Sequence, residues 1–86
     1  MKNTYFVYIL QCQDGSLYTG ITTDVARRFE SHKAGKGGNY TRSHKAVRIA
    51  YIQSIGTRSD ALKREACIKR LSRVEKLELI RENSPT

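Results

Sequence analysis

Five side chains in this sequence have the types and spacing to do chemistry together. In the stretch "YTGITTDVARRFESH", Tyr18 to His32, the residues Asp24, Arg28 and His32 recur at i, i+4 and i+8. That spacing puts them on one side of a helix. Val25 and Phe29 mark the apolar stripe beside them, so Arg28 falls at the boundary between core and surface. An arginine there ordinarily caps a core. Beside a histidine and two tyrosines, Tyr8 and Tyr18, it forms a less ordinary group: a planar cation for oxyanions, with side chains that carry protons. Far along the chain, Glu65 stands three after Leu62 and three before Ile68, on a stripe that Ala61, Leu62, Ile68 and Leu71 define. A glutamate among apolar neighbours is either an ion pair at the core's edge or a carboxylate presented to a cleft, where it can hold a metal.

The elements that must position these residues can be read from the same sequence. "TYFVYILQC" is apolar on both alternating sets, Tyr5, Val7, Ile9 and Phe6, Tyr8, Leu10, as a central strand should be. Asp14-Gly15 signals a hairpin, and "LYTGIT" returns as the second strand. Thr22, Thr23 and Asp24 offer cap oxygens for a helix with Val25, Phe29 and Lys33 on one side. "AGKGGNYTRSHKA" reads as a loop, and "VRIAYIQSI" as a third strand whose direction is open. A second helix runs from near Ser59 to about Leu71. Ser72 and Glu75 form a capping box that opens a last helix with Val74, Leu77 and Ile80 on one face. Asn83 to Thr86 read as a frayed end. The expected fold is α+β: a hairpin plus a third strand flanked by helices, in the order β-β-α-β-α-α.

The 86 residues fit one domain, 1–86, with a core of about 5–80. Lysine and arginine number 16 against 8 acids, a net charge of +8. The simplest partner for such an excess is nucleic-acid phosphate; a merely basic soluble protein is the plain alternative. Cys12 and Cys67 match no disulfide or zinc spacing and read as reduced thiols. The apolar run Tyr5 to Leu10 is too short to span a membrane. A cytoplasmic location is expected. The loop carries Lys33, Lys36, Arg42, Lys45 and Arg48 with Tyr40 interleaved and no acid. Its glycine amides and basic side chains suit phosphates, with Lys33, Lys36, Tyr40 and Arg42 favoured over Lys45. A flexible solvated loop is the bland reading. The spacing is not that of a P-loop.

Taken together, Tyr8, Tyr18-Thr19-Gly20, Arg28, His32 and Glu65 resemble the GIY-YIG nuclease superfamily. Phe6-Val7-Tyr8 stands where that family has Gly-Ile-Tyr, and Tyr18-Thr19-Gly20 where it has Tyr-Ile-Gly. The resemblance runs from about Tyr5 to Ile80 and is nearest to small stand-alone bacterial members. It extends to the nuclease domain of the repair enzyme UvrC and to homing endonucleases. It implies a metal-dependent endonuclease that hydrolyses phosphodiester bonds, in DNA rather than RNA, in repair or in processing of branched or damaged DNA. It implies that Glu65 binds Mg²⁺ or Mn²⁺, that Arg28 holds phosphate oxygens and that Tyr8 serves as base if nearby cations favour its phenolate. Tyr18 would orient water or phosphate, and His32 would share proton transfer or bind phosphate. The family's late asparagine has only Asn83 as a positional counterpart.

Both tyrosines must then face one cleft. A two-residue Asp14-Gly15 turn would pair Tyr8 with Ile21 and send Tyr18 to the opposite face. An odd-length loop or a bulge near Asp14 to Ser16 is therefore expected. Two other readings stand beside the nuclease: a nucleic-acid-binding module that keeps the fold with little or no catalysis, and an adaptor for an acidic protein. The adaptor leaves Glu65 unexplained.

Overall fold

The computed structural model describes residues 3–36 and 44–83. Among the described residues three strands and three helices follow in order: β1 (Tyr5–Cys12), β2 (Leu17–Thr22), α1 (Val25–Lys33), β3 (Ala46–Gly56), α2 (Arg58–Lys69) and α3 (Arg73–Glu82). The sheet order is β2-β1-β3, and β3 is antiparallel to β1, which settles the direction that pattern alone leaves open.

The doubly apolar strand is central because both of its faces have a core to enter. Val7 and Ile9 pack with Tyr51, Ala61, Ile68 and Ile80, on the face that α2 and α3 cover. Tyr8 and Leu10 pack with Val25 and Ala46, with Phe29 against them, on the face that α1 covers. Burial of such side chains contributes about 1.5–3 kcal/mol each, which makes β1 the chief source of stability in a small core.

The hairpin loop has three residues. The Cys12 N–H donates to the Ser16 carbonyl at 2.8 Å and the Gly15 N–H to the Cys12 carbonyl at 2.9 Å, leaving Gln13, Asp14 and Gly15 between the strands. Gly15 has φ +87°, the left-handed conformation that glycine adopts without a steric cost. The Asp14 carboxylate accepts from the Ser16 amide at 3.0 Å and the Ser16 hydroxyl at 2.6 Å, which holds the turn closed. The expected odd-length loop is present, and it pairs Tyr8 with Gly20 and Leu10 with Tyr18.

Each helix starts at a side-chain cap. Asp24 accepts from the Arg27 amide and Thr57 from the Asp60 amide, while Ser72 and Glu75 complete the expected capping box. Two expected faces are corrected. On α2, Ala61 and Ile68 are buried, but Leu62 turns outward, and the helix ends at Lys69 rather than Leu71. On α3, Val74 and Leu77 are exposed while Leu79 and Ile80 face the core. The Arg73 guanidinium donates to the Gly15 carbonyl at 2.8 Å, anchoring the first turn of α3 on the hairpin loop; Ile80 anchors the last turn. Those two anchors set the rotation of the helix. No helix among the described residues is long and apolar enough to cross a membrane.

Candidate active site

The three-residue loop decides where the tyrosines go. With Tyr8 opposite Gly20 and Tyr18 opposite Leu10, both rings rise on the α1 face, their centroids 6.4 Å apart. Gly20 is what makes room. A Cβ built there would lie 2.6 Å from the Tyr8 hydroxyl oxygen and 2.8 Å from its ring. Tyr8 therefore lies flat over its cross-strand neighbour, and the glycine of Tyr18-Thr19-Gly20 serves packing rather than the turn.

From α1, His32 enters the same space. It is fully buried, and its Nε2 lies 3.1 Å from the Tyr8 hydroxyl. The Tyr18 ring lies 4.9 Å from the imidazole, closing the other side. Burial, reinforced by the charge of Arg28, pushes the His32 pKa below its usual 6.5, so the ring is neutral at pH 7. A neutral imidazole can accept at Nε2, and the Tyr8 phenol then donates to it. Buried against the Tyr8 hydroxyl, the ring is placed to exchange a proton with it.

Arg28, one turn earlier on α1, is exposed, with its guanidinium beside the Tyr8 hydroxyl. The Tyr8 pKa is pushed up to about 12. Burial is the largest cause; Arg28 opposes it, while the charges of Tyr18 and Glu65 add to it. Desolvation thus outweighs Arg28 at the Tyr8 hydroxyl.

Glu65 belongs to α2, on the opposite face of the sheet, yet its charge is felt at Tyr8. Its side chain is 18% exposed and pairs with Lys69, one turn on, at 3.2 Å. The lysine is 57% exposed, so the pair sits at the rim rather than inside the core. Among the described residues there is no cluster of three or more metal-ligating side chains. A rim carboxylate with one displaceable partner nevertheless suits Mg²⁺, which keeps most of its waters and needs one or two protein oxygens.

The remaining expectations divide. Lys33 is exposed, with its amine 3.7 Å from Glu30 and 5.2 Å above the Phe29 ring, and Lys36 is exposed nearby. Tyr40 and Arg42 lie outside the described residues. Asn83 caps α3, its amide donating to the Leu79 carbonyl at 2.9 Å, and serves the helix end. Three features escaped the sequence reading. Gly20 is legible in the sequence only as part of a motif. Thr19 is 4% exposed and opposite Ile9, with a hydroxyl that finds no hydrogen-bond partner among the described residues. Arg27 lines a polar hollow with Arg28; its one signal in sequence is its place next to Arg28.

The wider likeness agrees with this geometry. The sequence profile described as the GIY-YIG catalytic domain matches residues 4–78. A UPF0213 protein of Cupriavidus pinatubonensis is 48% identical over 77 residues, 90% of this chain and 86% of the relative. A UPF0213 protein of Staphylococcus aureus is 48% identical over 80 residues, covering 93% of this chain and 98% of its own. The solution structure of a UPF0213 protein from Bacillus halodurans superimposes with a TM-score of 0.60 at 41% identity, over 93% of this chain and 85% of that one. With the paired tyrosines, the helix arginine and histidine and the α2 glutamate in one fold, and a profile match over most of its length, this chain belongs to the GIY-YIG catalytic domain family, a family of nucleases.

Proposed function

We propose that the protein is a metal-dependent endonuclease that hydrolyses phosphodiester bonds in DNA, in repair or in processing of branched or damaged strands. The observation that carries this reading is the Tyr8–His32 pair at 3.1 Å, set between an exposed arginine and the charge of Glu65. A merely structural tyrosine needs a hydrogen-bond partner but no such surroundings.

Arg28 reaches solvent and grips the non-bridging oxygens of the bound phosphate, where negative charge grows as water attacks. Tyr18, half-buried at the mouth, orients the attacking water. Tyr8 takes the water's proton at its hydroxyl oxygen while passing its own to His32 Nε2. That relay needs no standing phenolate on Tyr8, whose pKa is raised to about 12. Glu65 is the residue that would hold Mg²⁺ or Mn²⁺, displacing Lys69; the ion would supply Lewis-acid stabilisation of the phosphate and leaving oxygen. Lys33 and Lys36, with Tyr40 and Arg42, extend the contact along the backbone of the nucleic acid.

A second reading is favoured by the Glu65–Lys69 pair and the raised Tyr8 pKa. In it the protein binds nucleic acid but cleaves little or none. Wild type and Glu65→Ala, incubated with labelled single-stranded, duplex and forked DNA and RNA in Mg²⁺, Mn²⁺ or EDTA, separate the two. Cleavage that needs both metal and Glu65 supports the nuclease and identifies its substrate class. Binding to these substrates with no cleavage of any supports the module.

A further inference from the structure

A hollow of about 370 Å³ opens at the start of α1, lined by Thr22, Thr23, Asp24, Arg27, Arg28 and Ser31. Its chemistry is one-sided: two guanidinium groups and three hydroxyls against one carboxylate. That carboxylate is engaged, accepting from the Arg27 amide at 3.1 Å as the helix cap. Thr22 is engaged too, its hydroxyl accepting from the Asp24 amide at 3.1 Å. The Arg27 guanidinium makes no ion pair among the described residues. The size suits a small ligand or one nucleotide unit, since such sites run from roughly 300 Å³ upward.

The hollow shares Arg28 with the Tyr8–His32 centre. Arg27 and Arg28 are consecutive on a helix, so their side chains diverge by about 100°. They cannot both close on one phosphate as a single fork, but they can hold two successive phosphates of one strand. The helix N-terminus itself contributes little, because Asp24 already occupies it.

We propose that this hollow seats the phosphodiester adjoining the one held by Arg28, with Arg27 as its ligand and Thr23 and Ser31 as hydroxyl donors. The proposal rests on the nucleic-acid reading of the site. It adds that the protein follows the backbone of one strand on both sides of α1's first turn and takes its register from phosphates rather than bases.

The test is binding, read in EDTA so that no cleavage intervenes. Fluorescence anisotropy follows a labelled DNA oligonucleotide across a KCl series for wild type, Arg27→Gln and Arg58→Gln. The last removes the same charge from the exposed start of α2. A set of oligonucleotides each carrying one neutral methylphosphonate then scans the strand. Arg27→Gln is expected to weaken binding roughly tenfold and to flatten the log K against log salt slope by about 0.7–0.9, one phosphate contact. One position of the scan should weaken wild type and Arg58→Gln but leave Arg27→Gln unchanged. If Arg27→Gln and Arg58→Gln weaken binding equally and answer the scan as wild type does, the seat is overturned and the nuclease reading stands. If wild type binds no oligonucleotide at any salt, both fall together.

Discussion

Gly20 and Thr19 show how one motif divides its work between the two faces of a strand. Gly20 lies under Tyr8, and an added methyl has nowhere to go, because Tyr8 is 1% exposed and cannot swing away. Gly20→Ala should cost roughly 1–3 kcal/mol in urea denaturation, as overpacking does. By displacing the Tyr8 hydroxyl from His32 it should also lower cleavage on the order of 100-fold. Full activity in a destabilised variant would show that the Tyr8–His32 distance is immaterial to the reaction. Thr19 faces the other way, with a buried hydroxyl lacking a partner among the described residues. Thr19→Val keeps the shape and removes the desolvated oxygen, so it should stabilise by about 1 kcal/mol, seen as a higher urea midpoint. A lower midpoint would mean that the hydroxyl is satisfied in solution.

The hairpin is the element that makes the site, because its loop length sets which face Tyr18 occupies. Gly15 holds the left-handed position of that loop at φ +87°. Gly15→Ala should cost about 1 kcal/mol or somewhat more, read from thermal unfolding, with cleavage following stability rather than collapsing. On α2, Lys69 balances Glu65 at 3.2 Å. A helical pair this exposed contributes only about 0.3–0.5 kcal/mol, so Lys69→Met should barely change stability. It should, however, tighten Mg²⁺ or Mn²⁺ binding in calorimetric titration, since the carboxylate loses its competitor. Unchanged metal affinity would place the ion elsewhere. The need for an odd loop is legible in sequence once both tyrosines are required on one face. The outward turn of Val74 and Leu77 is not, because α3 takes its rotation from Arg73 on the Gly15 carbonyl, a contact 58 residues apart in the chain.

At the scale of the whole molecule, the buried Tyr8–His32 pair bounds the pH range in which the fold is stable. Tyr8 has its pKa raised from its ordinary 10 to about 12, so the folded state holds that proton more tightly than the unfolded chain. Stability should therefore fall as pH rises from about 10 towards 12, by roughly 2–3 kcal/mol. His32 has its pKa lowered, so the unfolded chain takes up the proton first, and stability should also fall as pH drops below 6.5. Urea titrations across pH should show both limbs, with the acid limb removed in His32→Gln; persistence of that limb would assign it to other groups. Within the molecule, the sequence by itself determined the element order, the central place of β1, the helix caps and the family, because these depend on local periodicity, capping chemistry and short motifs. Only the tertiary structure decided that His32 is buried against the Tyr8 hydroxyl, that burial raises the Tyr8 pKa and that Arg27 opens on a hollow beside Arg28. Those properties follow from desolvation and from contacts between residues distant in the chain, and neither is written in local spacing.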